Sequence, residues 1–321
     1  MSANPANQDN PDSPLATRHT SLWFEDGNVV LIAEGVAFKV HRSVLALRSS
    51  VFKDMFSFPQ PQRQSDSEDT FDGCPAVTLS DQMSHVRIVL DIFYNGIQYL
   101  AKREQPSWAI VNAMLVLGRK YQIDDLYSEG VHQLERIYPG DVDVLGQGKA
   151  GTDFMSFEHE HMISVANVVQ DLDLQHLRAH SLYDCCQLDN SDLVRGVYGE
   201  KLREDDLLRC LDARTGLSEA RGRVERAMFM STEHDGCMRC APILADLRQV
   251  DADLRCSSNF HDPLRSHSDL PIAWFNASCE RLCVDCAGFH RAQDRAMRQN
   301  ILDNLLDFID IAEYGLDDED E

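Results

Sequence analysis

Two short apolar runs separated by two residues set the first constraint on how this chain folds. Val29-Val30-Leu31-Ile32-Ala33 and Val36-Ala37-Phe38-Lys39-Val40 are rich in β-branched residues, and Glu34-Gly35 lies between them. Runs of that length and composition around a Gly-containing pair predict a β-hairpin. Pro75-Ala76-Val77-Thr78-Leu79 predicts a third strand. The segments around these runs have a helical period. His41-Arg42-Ser43 opens a pattern bearing Val44, Leu45 and Leu47, and Ser49 or Ser50 can cap the next helix through Val51, Phe52, Met55 and Phe56. Ser80 or Asp81 can cap a helix in which Val86, Val89, Leu90 and Phe93 share one face, and Asn95-Gly96 ends it. Pro106 starts a helix lined by Ile110, Met114, Leu117 and Tyr121. Asp124-Asp125 starts another through Leu126, Val131, Leu134 and Ile137, which Pro139-Gly140 stops. The class is α+β, a small sheet flanked by helices.

Beyond residue 139 the pattern is mostly α-helical. Val165, Val168, Val169 and Leu172 repeat helical spacing, as do Leu177 through Leu182 to Cys185-Cys186. Shorter helices are expected around Leu207–Leu211 and Val224–Met230, and a last one through Ile301, Leu305, Phe308 and Ile309. The chain therefore divides into a disordered tail over 1–20, an α+β domain over 21–139 and a Gly/Asp-rich linker over 140–158. A helical extension over 159–230, a cysteine-bearing region with a final helix over 231–314 and an acidic tail over 315–321 follow. Ser57–Cys74 reads as a polar loop, and its Ser65-Asp66-Ser67-Glu68-Asp69 looks like an acidic-directed kinase site, a string common by chance.

The order and wording of these blocks resemble the BTB/POZ domain. Phe38-Lys39-Val40-His41-Arg42-Ser43-Val44-Leu45 is similar to the stretch where a strand of that family turns into its first helix. Ser49 to Phe56 resembles the following helix, and Pro75 to Asp81 the third strand and helix cap. Leu117-Gly118-Arg119-Lys120-Tyr121-Gln122-Ile123 resembles a late helix of fungal members. Ala179 to Cys186 and Leu282-Cys283-Val284-Asp285-Cys286 are similar to weaker patterns in BTB proteins of mushroom-type (basidiomycete) fungi. The resemblance implies a non-catalytic protein–protein interaction adaptor. Its partners would be proteins, another BTB chain among them, and the domain could form a homodimer. Leu22, Trp23 and Phe24, just ahead of the hairpin, would supply an exposed apolar interface, unless they pack on their own domain.

The resemblance leaves a substrate receptor of a cullin-type ubiquitin ligase as the alternative. Cullin-binding members often carry a hydrophobic-x-Glu signature after the third helix, and that place reads Asn95-Gly96-Ile97-Gln98-Tyr99-Leu100, without Glu. A metal-dependent enzyme is the remote alternative. No G-x-S-x-G, P-loop or G-x-G-x-x-G occurs. His41 has no Ser or Cys elbow beside it, so folding is its expected role. His159-Glu160-His161 lacks the i, i+4 spacing that puts two imidazoles on one helix face.

Charge narrows the partners further. Fifty-three acidic residues against 30 basic ones give a net charge of −23, which repels phosphate backbones and anionic headgroups. Nucleic acid and membrane are therefore not expected. Met1–Thr20 has no basic segment followed by an apolar block, so it does not read as a secretory signal. The expected location is cytoplasmic, nuclear or both, where ten cysteines would be thiols or metal ligands.

Four of those cysteines fall in two knuckle-type pairs, Cys237-x-x-Cys240 and Cys283-x-x-Cys286. Two thiolates at that spacing can hold one Zn²⁺ from a tight turn, and two pairs complete a tetrahedron. Cys279 or His290 could substitute for one member. Two readings stay open: no cofactor, with the thiols packed as small hydrophobes, or one structural zinc. Cys185-Cys186 lie adjacent on a helix, point to different faces and read as core. Arg291, Arg295 and Arg298 share a helix face that reads as solvated.

Overall fold

The computed structural model describes residues 16–57, 70–96, 107–145, 161–230, 237–245, 262–264 and 281–309. The readings made for residues 1–15, Ser65–Asp69, Ile97–Leu100, 146–160, Cys279 and the acidic tail lie outside these residues. The chain groups into two compact units, Met1–Glu104 with Ala109–Val131, and Gln105–Trp108 with His132–Glu321.

The first unit holds strands β1 (Thr17–Trp23), β2 (Val29–Ala33), β3 (Val36–Val40), β4 (Thr70–Phe71) and β5 (Cys74–Leu79). They form one sheet in the order β1-β3-β2-β5-β4. The β2–β3 pair is the expected antiparallel hairpin, Val29 opposite Val40 and Ala33 opposite Val36. Glu34 and Gly35 both have positive φ, 48° and 75°, as a two-residue turn matched to strand twist requires. β5 runs parallel to β2 and β1 parallel to β3.

Two parts of this sheet differ from the sequence reading. The tail assigned to 1–20 overlaps β1, which begins at Thr17. β1 is an edge strand that buries only Leu22, so no apolar run marks it. The polar loop assigned to Ser57–Cys74 ends in a second hairpin, β4–β5, turned by Asp72-Gly73 with φ of 52° and 73°.

Helices α1 (Arg42–Arg48), α2 (Ser50–Ser57) and α3 (Met83–Asn95) belong to this unit, as do most of α4 (Trp108–Lys120) and α5 (Asp124–Glu135). Ser49 caps α2: its Oγ accepts the Phe52 amide proton at 3.1 Å and donates to the Tyr121 carbonyl at 2.6 Å. Neither Ser80 nor Asp81 caps α3. Its first amide, Met83, donates instead to the Glu34 carboxylate at 2.9 Å, while Asp81 takes the Tyr121 hydroxyl and the Lys120 ammonium. Leu31, Phe38, Leu45, Leu90, Ile110 and Met114 are buried in one core, each contributing about 1.5–3 kcal/mol by leaving water.

The second unit is helical: α6 (Met162–Asp171), α7 (Gln175–Cys185), α8 (Asn190–Arg195), α9 (Glu204–Met230), α10 (Val284–Asp303) and α11 (Leu305–Ile309). Its core gathers Ile163, Leu182, Leu193, Leu217, Leu302 and Ile309, with Cys185, Cys186 and Cys210 inside it as ordinary packing residues. The two short helices expected over 207–230 are one 27-residue helix. Gly216 and Gly222 interrupt the apolar spacing but do not stop a helix, since Gly costs only about 1 kcal/mol there.

Residues 140–145, read as the start of a linker, are packed. Val142 and Leu145 are buried, and Gln299 brackets the segment by donating to the Gly140 carbonyl (2.7 Å) and accepting from the Val142 amide (3.0 Å). The basic face read as solvated does this holding. Arg295 binds Asp141 and Asp143 at 2.7 and 2.6 Å, and Arg298 is buried against Asp294 at 2.8 Å. Arg291 is exposed, as expected.

Candidate metal centre

The four cysteines of the two C-x-x-C pairs converge. Each pair sits where chain enters helix. Cys237 precedes a turn in which the Cys240 and Ala241 amides both donate to the Cys237 carbonyl, at 2.8 and 3.0 Å. Residues 241–245 continue as helix. Cys283 is the N-cap of α10, in extended conformation, and its carbonyl accepts the Ala287 amide at 2.9 Å. A helix start brings the first and fourth residues of C-x-x-C to the same side, so both sulfurs of a pair face one point. These are helix-start knuckles, without the Gly-rich turns that mark such pairs in sequence.

The sulfur atoms of Cys237, Cys240, Cys283 and Cys286 all lie within 4.8 Å of one another. The Cys237 and Cys283 sulfurs are 3.8 Å apart, and the Cys283 amide donates to the Cys240 sulfur at 3.2 Å. A tetrahedron built on Zn–S bonds of about 2.3 Å has sulfur–sulfur edges of about 3.8 Å. The residues therefore fit a tetrathiolate metal site. Cys240 and Cys286 are buried, Cys283 is half-buried and Cys237 is exposed. His290, one turn beyond Cys286 on α10, is buried and is not a member of the group.

Crowding four thiols splits their acidities. The Cys237 thiol is drawn down to about 7 by hydrogen bonding from Cys240, then by the amides of Cys240 and Arg239. At Cys286 the Cys237 amide pulls downward, but desolvation and the thiols of Cys283, Cys240 and Cys237 outweigh it, and the group is pushed up to about 12. The Cys237 proton leaves readily while those on Cys240 and Cys286 are held, as expected of crowded sulfurs whose negative charges would repel at contact distance without a cation.

In the first unit the residues singled out as an apolar interface turn mostly inward. Leu22 is 2% exposed and belongs to the core, which corrects its reading as surface. Trp23 is half-buried, with the Arg18 guanidinium 4.7 Å above its ring and Phe71 against its edge. Phe24 is half-buried and stacks on Tyr94 at 4.3 Å. Leu47 on α1, by contrast, is 81% exposed. Sequence spacing placed it with Leu45, but the seven-residue helix turns only Leu45 inward.

His41 has a structural place. Its backbone amide donates to the Tyr94 hydroxyl at 3.0 Å, its Nδ1 lies 2.9 Å from the same oxygen, and Nε2 lies 3.2 Å from Asp26. Burial raises the Tyr94 phenol above its ordinary value, with the His41 amide opposing. A void in the core of this unit is lined by Leu31, Leu45, Phe52, Leu90 and Leu117 among others, and Tyr121 is the one titratable side chain on its wall. No helix among the described residues is long and apolar enough to cross a membrane.

A family model for the BTB/POZ domain matches residues 24–138, so the chain carries that domain, an interaction module, ahead of its helical second half. No curated protein matches the chain.

Proposed function

We propose that this protein is a non-catalytic adaptor, in which the BTB/POZ domain engages another polypeptide and the helical second half holds a different partner. The match over residues 24–138, on a sheet and helix arrangement of its own, carries this reading. The domain's partner is a second copy or another BTB chain. Size-exclusion chromatography with light scattering on the full chain tests it. A concentration-dependent dimer supports the reading, and a strict monomer at high concentration removes self-association. Affinity purification with mass spectrometry then separates adaptor from ligase receptor, since a cullin recovered in stoichiometric amount would favour the receptor.

The four cysteines support one structural Zn²⁺. Cys237, Cys240, Cys283 and Cys286 would supply all four ligands, which leaves no open position for catalysis. When bound, the metal offsets the charge of the four thiolates and cross-links residues 237–245 to the start of α10. Elemental analysis of purified protein tests this. One zinc per chain, with these four cysteines protected from alkylation, is the expected result. Iron with visible absorbance would reassign the same sulfur set to an iron–sulfur cluster, and no metal would leave the thiols as packing.

A further inference from the structure

We propose that Cys237 and Cys283 form a peroxide-sensitive dithiol, whose oxidation joins their sulfurs and dismantles the four-sulfur cluster. The disulfide itself depends only on the convergence of the cysteines. Its consequence for metal rests on the zinc reading above.

Among the eight described cysteines, Cys185, Cys186 and Cys210 are fully buried, and Cys74 stands apart, donating to the Gly27 carbonyl. Within the cluster, Cys240 and Cys286 are 0% and 1% exposed. Cys237 is the exposed member and Cys283 is half-buried, with their sulfurs 3.8 Å apart. They are the first cysteines of their two pairs. Cys237 lies ahead of its turn, and Cys283 is an N-cap in extended conformation with φ −67° and ψ 161°. Neither side chain is locked against a preceding helical turn, so rotation about χ1 can shorten 3.8 Å to the roughly 2.05 Å of a disulfide. The within-pair alternatives, Cys237–Cys240 and Cys283–Cys286, each need a sulfur that solvent does not reach.

The chemistry balances with hydrogen peroxide as the two-electron oxidant. The Cys237 thiolate attacks one peroxide oxygen, the O–O bond breaks, hydroxide leaves and a sulfenic acid forms. The Cys283 thiolate then attacks that sulfur, the S–O bond breaks and a second hydroxide leaves. Two thiolates and one peroxide give one disulfide and two hydroxides. The cluster then retains only Cys240 and Cys286 as ligands, too few for a closed tetrahedral site. The new bond spans 46 residues of sequence and holds the two knuckles together covalently.

The test treats the full chain, with its metal content measured beforehand, with increasing hydrogen peroxide. Disulfides are mapped by non-reducing digestion and mass spectrometry, and zinc release is followed with a colorimetric chelator. The expected result is a Cys237–Cys283 linked peptide rising in step with zinc release, reversed by dithiothreitol and added zinc. Cys74→Ser should leave both unchanged. Linkage within either C-x-x-C pair, or oxidation of Cys237 to sulfinic acid without linkage, would overturn the proposal even in zinc-loaded protein. A chain that holds no zinc yet forms the Cys237–Cys283 link would keep the dithiol and remove the zinc reading.

Discussion

The carboxylate of Glu34, in the turn of the first hairpin, accepts the amide proton of Met83 at the start of α3, 49 residues away. The contact couples two local choices. Glu34 occupies left-handed backbone space at φ 48°, where a non-glycine residue is strained, and its charge sits at the positive end of a helix that has no side-chain N-cap of its own.

Glu34→Ala should therefore lose the cap while keeping the backbone strain, at a cost of about 0.5–1 kcal/mol. Glu34→Gly loses the same cap but relaxes the backbone by about 1 kcal/mol and should lie closer to the parent protein. Urea midpoints of the two variants check the order. Equal destabilisation would mean that the strain at φ 48° is negligible.

Gly118 on α4 is fixed by close approach. A Cβ there would lie 2.9 Å from the backbone nitrogen of Tyr127 and 3.0 Å from its Cα, both in α5. Gly118→Ala must push the two helices apart and should cost about 1–3 kcal/mol. Gly140→Ala meets nothing within 4 Å and should stay within about 0.5 kcal/mol of the parent. Thermal melts of the pair would decide. A neutral Gly118→Ala would show that the helices can separate without loss.

These positions also show what the sequence made legible. The first hairpin was readable because five β-branched or apolar residues stand before a two-residue turn and four of the five after it are of the same kind. The second carries an equally good Asp72-Gly73 signal, but β4 is only Thr70–Phe71, too short to register as a strand. β1 was hidden because an edge strand needs just one inward residue. The cysteine spacing identified both knuckles. Their meeting across 46 residues depended on where α10 begins, and no local pattern states that. Leu22 was misread for a general reason: apolar residues ahead of a hairpin can face either way until the neighbouring strand is known.

Asp206 on α9 is a buried charge with two partners. It accepts from Arg178 at 2.6 Å and from Arg209 at 3.2 Å, and its side chain is 2% exposed. Asp206→Ala strands the Arg178 guanidinium in the interior and should cost about 3–5 kcal/mol. Replacing both members, with Arg178→Met and Asp206→Leu, removes the stranded charge and should recover much of that loss. Urea denaturation with an unchanged slope is the measurement. A double variant as weak as Asp206→Ala would show that the pair itself, and not the orphaned charge, holds α7 to α9.

Asp141 makes the packed segment 140–145 sensitive to acid. Its carboxyl is held below the ordinary carboxylate range, first by the Asp143 amide, then by the Val144 amide and the Arg295 guanidinium, with desolvation opposing. A carboxyl whose folded value is depressed adds stability that is complete above the unfolded value. That stability is lost as pH falls through the folded one. The contribution should therefore be intact at neutral pH and disappear below about pH 4. Asp141→Asn keeps an oxygen for the two amides but removes the charge facing Arg295, so its stability should fall less steeply through the same acid window. Subtracting the two pH profiles isolates this group from the other carboxylates. A difference that stays flat below pH 4 would mean that folding does not depress the Asp141 carboxyl, so that neither the two amides nor Arg295 favours its charged form.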